Sequence, residues 1–273
     1  GSYAYSEVLT GDMKITNTGS GVSLEVTGAN ALLLSTVTND AATPTLAFGD
    51  GNTGFYESAD NVLNTSIAGT VRMKLDANSR ISLSNNDSGT DNTILGFATA
   101  GSIVAGADGN VFIGDYCAGY GTITNGADDN VGIGKGSLGT LTSGASNVAV
   151  GKDSLNQITS GGDNVAIGAY AGDAMTDNSS NTVVGYYAFT TANTGENNNV
   201  VIGASAGSSI DNASADDNVI IGTSAGSGGS GDLSKSVIIG ASAGNSTGSS
   251  NNEGMVAIGN EALTALTLSL IHI

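Results

Sequence analysis

A short segment repeats ten times along the chain and constrains the fold more than any other feature of the sequence. Each copy has a four-residue apolar run that ends in glycine, as in residues 165–168, VAIG. Successive copies are 17 to 20 residues apart. A fixed period with small slips is typical of a solenoid, in which each repeat stacks on the next. It favours a structural protein over an enzyme. The closing glycines are Gly96, Gly114, Gly134, Gly151, Gly168, Gly185, Gly203, Gly222, Gly240 and Gly259.

Each apolar run has the length and the β-branched composition of a short strand. Val165 and Ile167 lie two residues apart, so they share one face of that strand. Both positions change little among copies, whereas the residue between them varies, and we therefore expect the constant face to form the core. The glycine that follows is expected at a backbone angle that penalises a Cβ. The predicted core comprises Val111, Ile113, Val131, Ile133, Val148, Val150, Val165, Ile167, Val200, Ile202, Val219, Ile221, Val237, Ile239, Val256 and Ile258.

A second apolar position follows each glycine at a nearly constant offset. Most copies have an alanine there, and two have a leucine one residue later, at Leu138 and Leu155. This predicts a second short strand that faces a narrow interior, and the Gly, Ser, Thr, Asn and Asp of the remainder predict turns. The fold class is therefore all-β: a parallel β-solenoid or β-roll of about ten coils of 17–20 residues. At a spacing of about 4.8 Å, ten coils make a rod on the order of 50 Å long.

Asparagine begins eight of the ten runs. Its side chain can bond backbone groups at a turn, and stacked asparagines can form hydrogen-bonded ladders. We expect a structural role for these residues, with ligand binding as the alternative. They are Asn92, Asn110, Asn130, Asn147, Asn164, Asn181, Asn199 and Asn218.

Composition limits the partners. Seven basic and 25 acidic residues give a net charge of −18, which disfavours nucleic acid and anionic membrane surfaces. No apolar run approaches the 18 residues of a membrane span. With only 5% aromatic residues the chain cannot build a bulky globular core. Burial inside one thin coil does not offset the entropy of ordering it, so we expect further burial between copies of the chain.

Three regions follow from the repeat. Residues 1–91 contain no copy and form a β-rich N-terminal region, in which Arg72 and Lys74 are expected on a solvated strand face, with an acidic-glycan contact as the weaker alternative. Residues 92–267 form the solenoid. Residues 268–273 leave its composition abruptly and contain the single histidine, His272. The ending LSLIHI matches a translated sequencing adapter, so we expect this tail to be non-native and the natural chain to continue.

Residues typical of catalysis are scarce. The single cysteine, Cys117, sits at the alanine offset and is expected to be a small buried residue. The pairs Gly134-Lys135 and Gly151-Lys152 lack the spacing of a phosphate loop.

The acidic pairs Asp128-Asp129 and Asp216-Asp217 are candidates for glycan hydrolysis by residue type only. We therefore predict no catalytic residue, no metal ligand and no cofactor. Calcium between Gly/Asp-rich turns, as near Gly161 in GGDNVAIG, is the alternative.

The segment FGDGNTGFYESADNVLNTSIAGTVRMKLD resembles a module of tail-fibre and other virion proteins of marine bacteriophages. The NVAIG repeats are similar to those proteins and to the head repeats of YadA-like trimeric autotransporter adhesins. The resemblance implies a left-handed parallel β-roll in which three chains lie side by side. The adhesin repeat is shorter, so handedness and the number of strands in each coil stay open.

The expected function is that of a structural, adhesive protein: part of a homotrimeric phage tail fibre in the virion that contacts a bacterial cell-surface receptor or glycan. The first alternative is the head domain of a trimeric adhesin at the bacterial cell surface. The second is a glycan-degrading tailspike.

Overall fold

The computed structural model describes residues 46–48, 53–59, 62–75, 81–83, 91–228, 233–245 and 252–264. Regular structure within these ranges is entirely β. The chain divides into two compact units, Gly1–Ile81 and Ser82–Ile273. The predicted tail, residues 268–273 with His272, lies outside the described residues, as do the parts of the N-terminal region before residue 46.

The first unit contains a meander. One sheet has the order β1-β2-β3-β4-β5, and the pairs β1/β2, β2/β3 and β3/β4 are antiparallel. Arg72, on the fourth strand, is half-buried, while the side chain of Lys74 lies outside the described part of the chain. These strands are β1 (Leu46–Phe48), β2 (Thr53–Ala59), β3 (Val62–Ile67), β4 (Thr70–Leu75) and β5 (Ile81–Leu83).

The second unit is the predicted parallel β-solenoid. Ten three-residue strands, one for each repeat, form a single sheet in which consecutive repeats are neighbours. The register places equivalent positions side by side, as in Val165↔Thr182 and Ile167↔Val184. The fold-class prediction is therefore confirmed. The strands of this sheet are β6 (Thr93–Leu95), β7 (Val111–Ile113), β8 (Val131–Ile133), β9 (Val148–Val150), β10 (Val165–Ile167), β11 (Thr182–Val184), β12 (Val200–Ile202), β13 (Val219–Ile221), β15 (Val237–Ile239) and β17 (Val256–Ile258). A small parallel pair, β14 (Leu233–Ser234) and β16 (Asn252–Glu253), joins the last two coils.

The prediction of which strand face forms the core is wrong. In β10 the middle residue, Ala166, is fully buried, whereas Val165 is half-buried and Ile167 is exposed. The alternation is the same along the sheet, so the constant Val/Ile positions form the outer face and the variable position faces the interior. The correction applies to Val111, Ile113, Val131, Ile133, Val148, Val150, Val165, Ile167, Val200, Ile202, Val219, Ile221, Val237, Ile239, Val256 and Ile258.

In several coils the interior position varies together with a second residue, four places after the closing glycine. Where the strand residue is Gly132 or Ala149, the second residue is leucine, Leu138 or Leu155. Where the strand carries isoleucine, as Ile220 and Ile238 do, the second residue is glycine. A Cβ on Gly132 would collide with Cys117 and crowd Leu138. In these four coils the two positions therefore complement each other in volume, as close packing requires. The Ala166 coil differs, because its second residue is Gly172 and the buried Met175 lies beside that glycine.

The predicted second strand is also wrong, although its residues do face the interior. Ala171 and Leu155 are fully buried, but the segment after each glycine is a run of turns. In this run left-handed residues alternate with others, as at Tyr170 (φ 59°) and Gly172 (φ 58°). Apart from the pair β14/β16 and an isolated bridge between Ile103 and Ile123, each described coil has one strand.

The closing glycines have the predicted special backbone conformation. All ten have φ between +128° and +143°. They also stack directly on one another: a Cβ on Gly168 would overlap the carbonyl oxygen of Gly185, and the same clash recurs in the coils up to Gly240. Two separate constraints, the dihedral angle and the close approach of neighbouring coils, thus require glycine here.

Gly168→Ala tests these two constraints. Strain at positive φ costs about 1–3 kcal/mol, and the overlap with Gly185 adds to it, so we expect a loss of stability well above that range. Gly126→Ala is the matched control, because Gly126 has φ +95° but open space around its Cβ position. Denaturant unfolding measures both. Equal losses in the two variants would contradict a role for coil contact.

The asparagines form a continuous ladder through the interior. Asn164 Nδ2 donates to Asn147 Oδ1 (2.9 Å) and to the carbonyl oxygen of Asn178 (2.7 Å). Asn164 Oδ1 accepts from the backbone N–H of Asn181 (3.0 Å) and from its side-chain amide (3.2 Å). The pattern runs from Asn92 to Asn218, which confirms the structural role expected for all eight residues.

Asn164→Ala removes one step of this ladder. It leaves the buried backbone N–H of Asn181 and the buried carbonyl oxygen of Asn178 without these partners, at about 1–3 kcal/mol each, so we expect a loss of at least about 2 kcal/mol in the free energy of unfolding. Asn164→Ser should lose less. At Ser236 the chain itself uses serine here, and Ser236 Oγ accepts from the N–H of Met255 at 3.0 Å. If alanine and serine were equally damaging, the ladder would not be the source of the loss.

Candidate functional site: the apolar outer face of the solenoid

The outer face of the ten-stranded sheet carries two parallel rows of side chains. The first and third residue of each strand point outward, and across the described strands these positions hold Val, Ile and Leu, with threonine at Thr93 and Thr182. None of them is charged. Ten strands at about 4.8 Å and three residues at about 3.3 Å give a face of roughly 480 Å².

Exposure along this face is appreciable. Ile167 is 43% exposed and Leu95 45%, and at the last strand Ile258 reaches 65%. The largest apolar patch of a typical monomer measures about 300–600 Å² and is often functional, so a face of this size is a candidate interaction site. The residues predicted as repeat core are thus brought together on one surface, and that surface is the best candidate for the site at which this protein acts.

The asparagine ladder leaves nothing for a ligand to bind. The seven ladder asparagines from Asn110 to Asn218 are each at most 1% exposed. Asn164 uses both of its amide hydrogens and its oxygen in hydrogen bonds within the coils. The alternative of ligand binding by these side chains therefore has no support in the structure.

The acidic pairs Asp128-Asp129 and Asp216-Asp217 form hydrogen bonds between the loops of successive coils. Asp128 Oδ1 accepts the backbone N–H of Asp108 at 2.9 Å, and Asp216 Oδ1 accepts that of Asn197 at 2.6 Å. Their neighbours Asp129 and Asp217 have left-handed backbones, with φ of 57° and 60°. Each pair links one coil to the preceding one.

Within the described ranges, no group of three or more His, Cys, Asp or Glu side chains is arranged to hold a metal ion. That part of the chain also has no helix long and apolar enough to cross a membrane.

Cys117 is fully buried and has no disulfide partner, which confirms its prediction as a small buried residue. Burial raises the pKa of its thiol to about 11. The thiolate, which is the reactive form of cysteine, is therefore scarce at neutral pH.

Within the described coils, the interior contains a fully buried carboxyl group that the sequence analysis did not single out. Glu196 is fully buried; its Oε2 accepts from Asn178 Nδ2 at 2.5 Å, and its Oε1 has no hydrogen-bond partner among the described residues. Burial raises the pKa of Glu196, and the nearby charge of Asp211 adds to the shift. A sequence signal existed: three residues before the ladder asparagine, equivalent coils have Gly161 and Ala215.

Glu196→Gln should stabilise the solenoid at neutral pH. Because the pKa is raised in the folded state, Glu196 favours folding below its unfolded pKa, and that contribution is lost as pH rises through the folded value. The stability gain of the variant should therefore grow from pH 4 to pH 7. Glutamine keeps an oxygen that can accept from Asn178.

Denaturant unfolding at several pH values measures this difference. Glu261→Gln, at an exposed position, controls for the loss of one negative charge. A gain that is the same at both ends of the pH range would contradict the assignment to Glu196 ionisation.

Comparisons with protein-family models, with curated proteins and with solved structures gave no match for this chain.

Proposed function

We propose that this chain is a structural, adhesive fibre protein that acts as a homotrimer, as part of a phage tail fibre in contact with the host surface. The observation that carries the proposal is the uniform apolar outer face. Packing in the coil interior does not account for its constancy, because these residues point away from that interior.

Assembly on this face suits a fibre. Copies that associate side by side about an axis parallel to the solenoid all point in the same direction, and a closed ring of them covers every apolar face. Three copies is the number that the resemblance to trimeric fibres and adhesin heads implies. The gain is the hydrophobic burial that a thin coil lacks, since each large side chain removed from water contributes about 1.5–3 kcal/mol.

A rigid rod would also suit adhesion. The stacked coils hold equivalent loops at a regular spacing, and three copies multiply each exposed contact. Weak contacts that engage together gain avidity without any new interaction. The strongly acidic composition keeps such a rod soluble.

The test is the mass of the full chain in solution by light scattering, with a surface variant. We expect three times the chain mass for the wild type and one chain mass, with unchanged circular dichroism, for Ile167→Lys combined with Ile202→Lys. Lysine at two exposed positions places charges where apolar faces would meet, without disturbing the interior.

Gln157→Lys combined with Ser160→Lys is the matched control, because it adds the same charge at exposed loop positions and should remain trimeric. Binding of labelled protein to a panel of bacterial strains should weaken in the monomeric variant and not in the control. A folded monomeric wild type, or a variant that stays trimeric, would overturn the role of this face.

A further inference from the structure

Six aromatic side chains lie on the segments that come directly after the strands of the first, second, fifth and sixth coils. Five occupy the first or second position after a closing glycine. We call them the aromatic row: Phe97, Tyr116, Tyr120, Tyr170, Tyr186 and Tyr187. The other two aromatics of the described coils, Phe112 and Phe189, are buried in the interior.

The row consists of two ring clusters. In the first, Tyr116 and Tyr120 are stacked, with centroids 5.4 Å apart, and Phe97 meets Tyr116 edge-on at 5.7 Å. In the second, Tyr170 and Tyr187 are stacked at 4.7 Å. Phe97 is 73% exposed and Tyr186 in the second cluster 58%, so apolar ring surface is open to solvent in both clusters.

Two lysines lie between the clusters. Lys135 and Lys152 occupy the first position after their glycines on consecutive coils. Lys135 Nζ is 3.1 Å from a carboxylate oxygen of Asp115, and Lys152 Nζ is 3.1 Å from one of Asp153. Lys152 Nζ also lies 4.5 Å from the ring centroid of Tyr170, which joins the lysines to the second cluster.

Close contacts surround part of the row. Tyr120 lies against Gly139 on the next coil, where any Cβ would collide with its ring. Asn156 Nδ2 donates to the carbonyl oxygen of Gly136 at 2.7 Å, close beside the lysines. The contact with Gly139 limits the positions open to the Tyr120 ring, which lowers the conformational entropy that this side chain loses when a ligand binds.

The width and the charge of the aromatic row indicate which class of ligand fits it. The row is one or two side chains wide, which is too narrow for the roughly 800 Å² that each partner buries in a standard protein interface. Its lysines and aspartates cancel in charge, while the chain as a whole carries −18 and repels anionic polymers. A narrow, long and neutral ligand that combines apolar faces with many hydroxyl groups fits these features.

We propose that the aromatic row, together with Lys135 and Lys152, binds a neutral linear glycan that lies along the solenoid. The C–H faces of sugar rings would stack on the exposed rings, since aromatic side chains such as tyrosine offer an apolar body with a polar tip. The ammonium groups and carboxylates would donate to and accept from sugar hydroxyls. The proposal rests on the adhesive function proposed above and names the chemical class of ligand that the fibre would contact on the host surface.

The test uses the full chain on immobilised linear oligosaccharides of glucose, mannose and galactose, with polygalacturonate as the acidic comparison. We expect binding to at least one neutral series, stronger for longer chains, and at least about tenfold weaker for the variant Tyr116→Ala, Tyr170→Ala and Tyr187→Ala. Alanine is compatible with this left-handed position, since Ala98 occupies it with φ 49°.

The matched control is Ser205→Ala, Ser224→Ala and Ser242→Ala, which changes the same repeat position in coils without aromatics. It should bind like the wild type. Absence of binding to all neutral series, binding to polygalacturonate alone, or retained binding by the tyrosine variant would overturn the proposal.

Light scattering on the same variants separates this proposal from the fibre function. A tyrosine variant that became monomeric would identify the row as a contact between copies and overturn the glycan site. A trimeric wild type without glycan binding would support the fibre function and overturn the glycan site. A monomeric wild type that binds glycan would support the glycan site and overturn the homotrimer.

Discussion

The hydrogen bond from one coil to the next is the interaction on which the structure depends. An isolated three-residue strand is not stable, and one coil buries too little apolar surface in its interior to stabilise it. Each coil is ordered by its neighbours, through the backbone ladder and through the asparagines. Because Asn164 bonds both Asn147 and Asn181, a slip of one residue would leave buried amides without partners. The register is therefore retained while the variation in repeat length, 17 to 20 residues, falls in the loops.

The period, the parallel pairing, the asparagine ladder and the glycine conformation could all be predicted, because each depends on a constraint that recurs unchanged in every coil. The orientation of the strands could not. Constancy at Val165 and Ile167 predicts a core, yet the interior of several coils is filled by pairs of residues that vary together. Gly132 with Leu138 and Ile238 with Gly244 occupy the same space in opposite ways. A position that varies in partnership looks unconstrained when each residue is considered alone.

Turns take the place of the expected second strand for a related reason. An apolar residue at a constant offset is compatible with any backbone that returns a side chain to the interior. The turns after each glycine achieve this through alternating left-handed residues, and they accept serine, tyrosine and aspartate at the outward positions, as at Ser205, Tyr170 and Asp153. The segment is consequently free to change its surface chemistry from coil to coil. The strand is not, because its outer face keeps Val and Ile through nearly every repeat.

These two surfaces place different demands on a partner. A face that is uniform over ten strands fits something equally repetitive, and another copy of the same solenoid meets that condition directly. The aromatic row is confined to the first six coils and differs from coil to coil, so its partner need not share the period of the whole rod. Coil stacking nevertheless sets the spacing of the row at about 4.8 Å for each step. The rings of Tyr170 and Tyr187, on successive coils, are held at stacking distance by this spacing, so they are arranged when the solenoid folds.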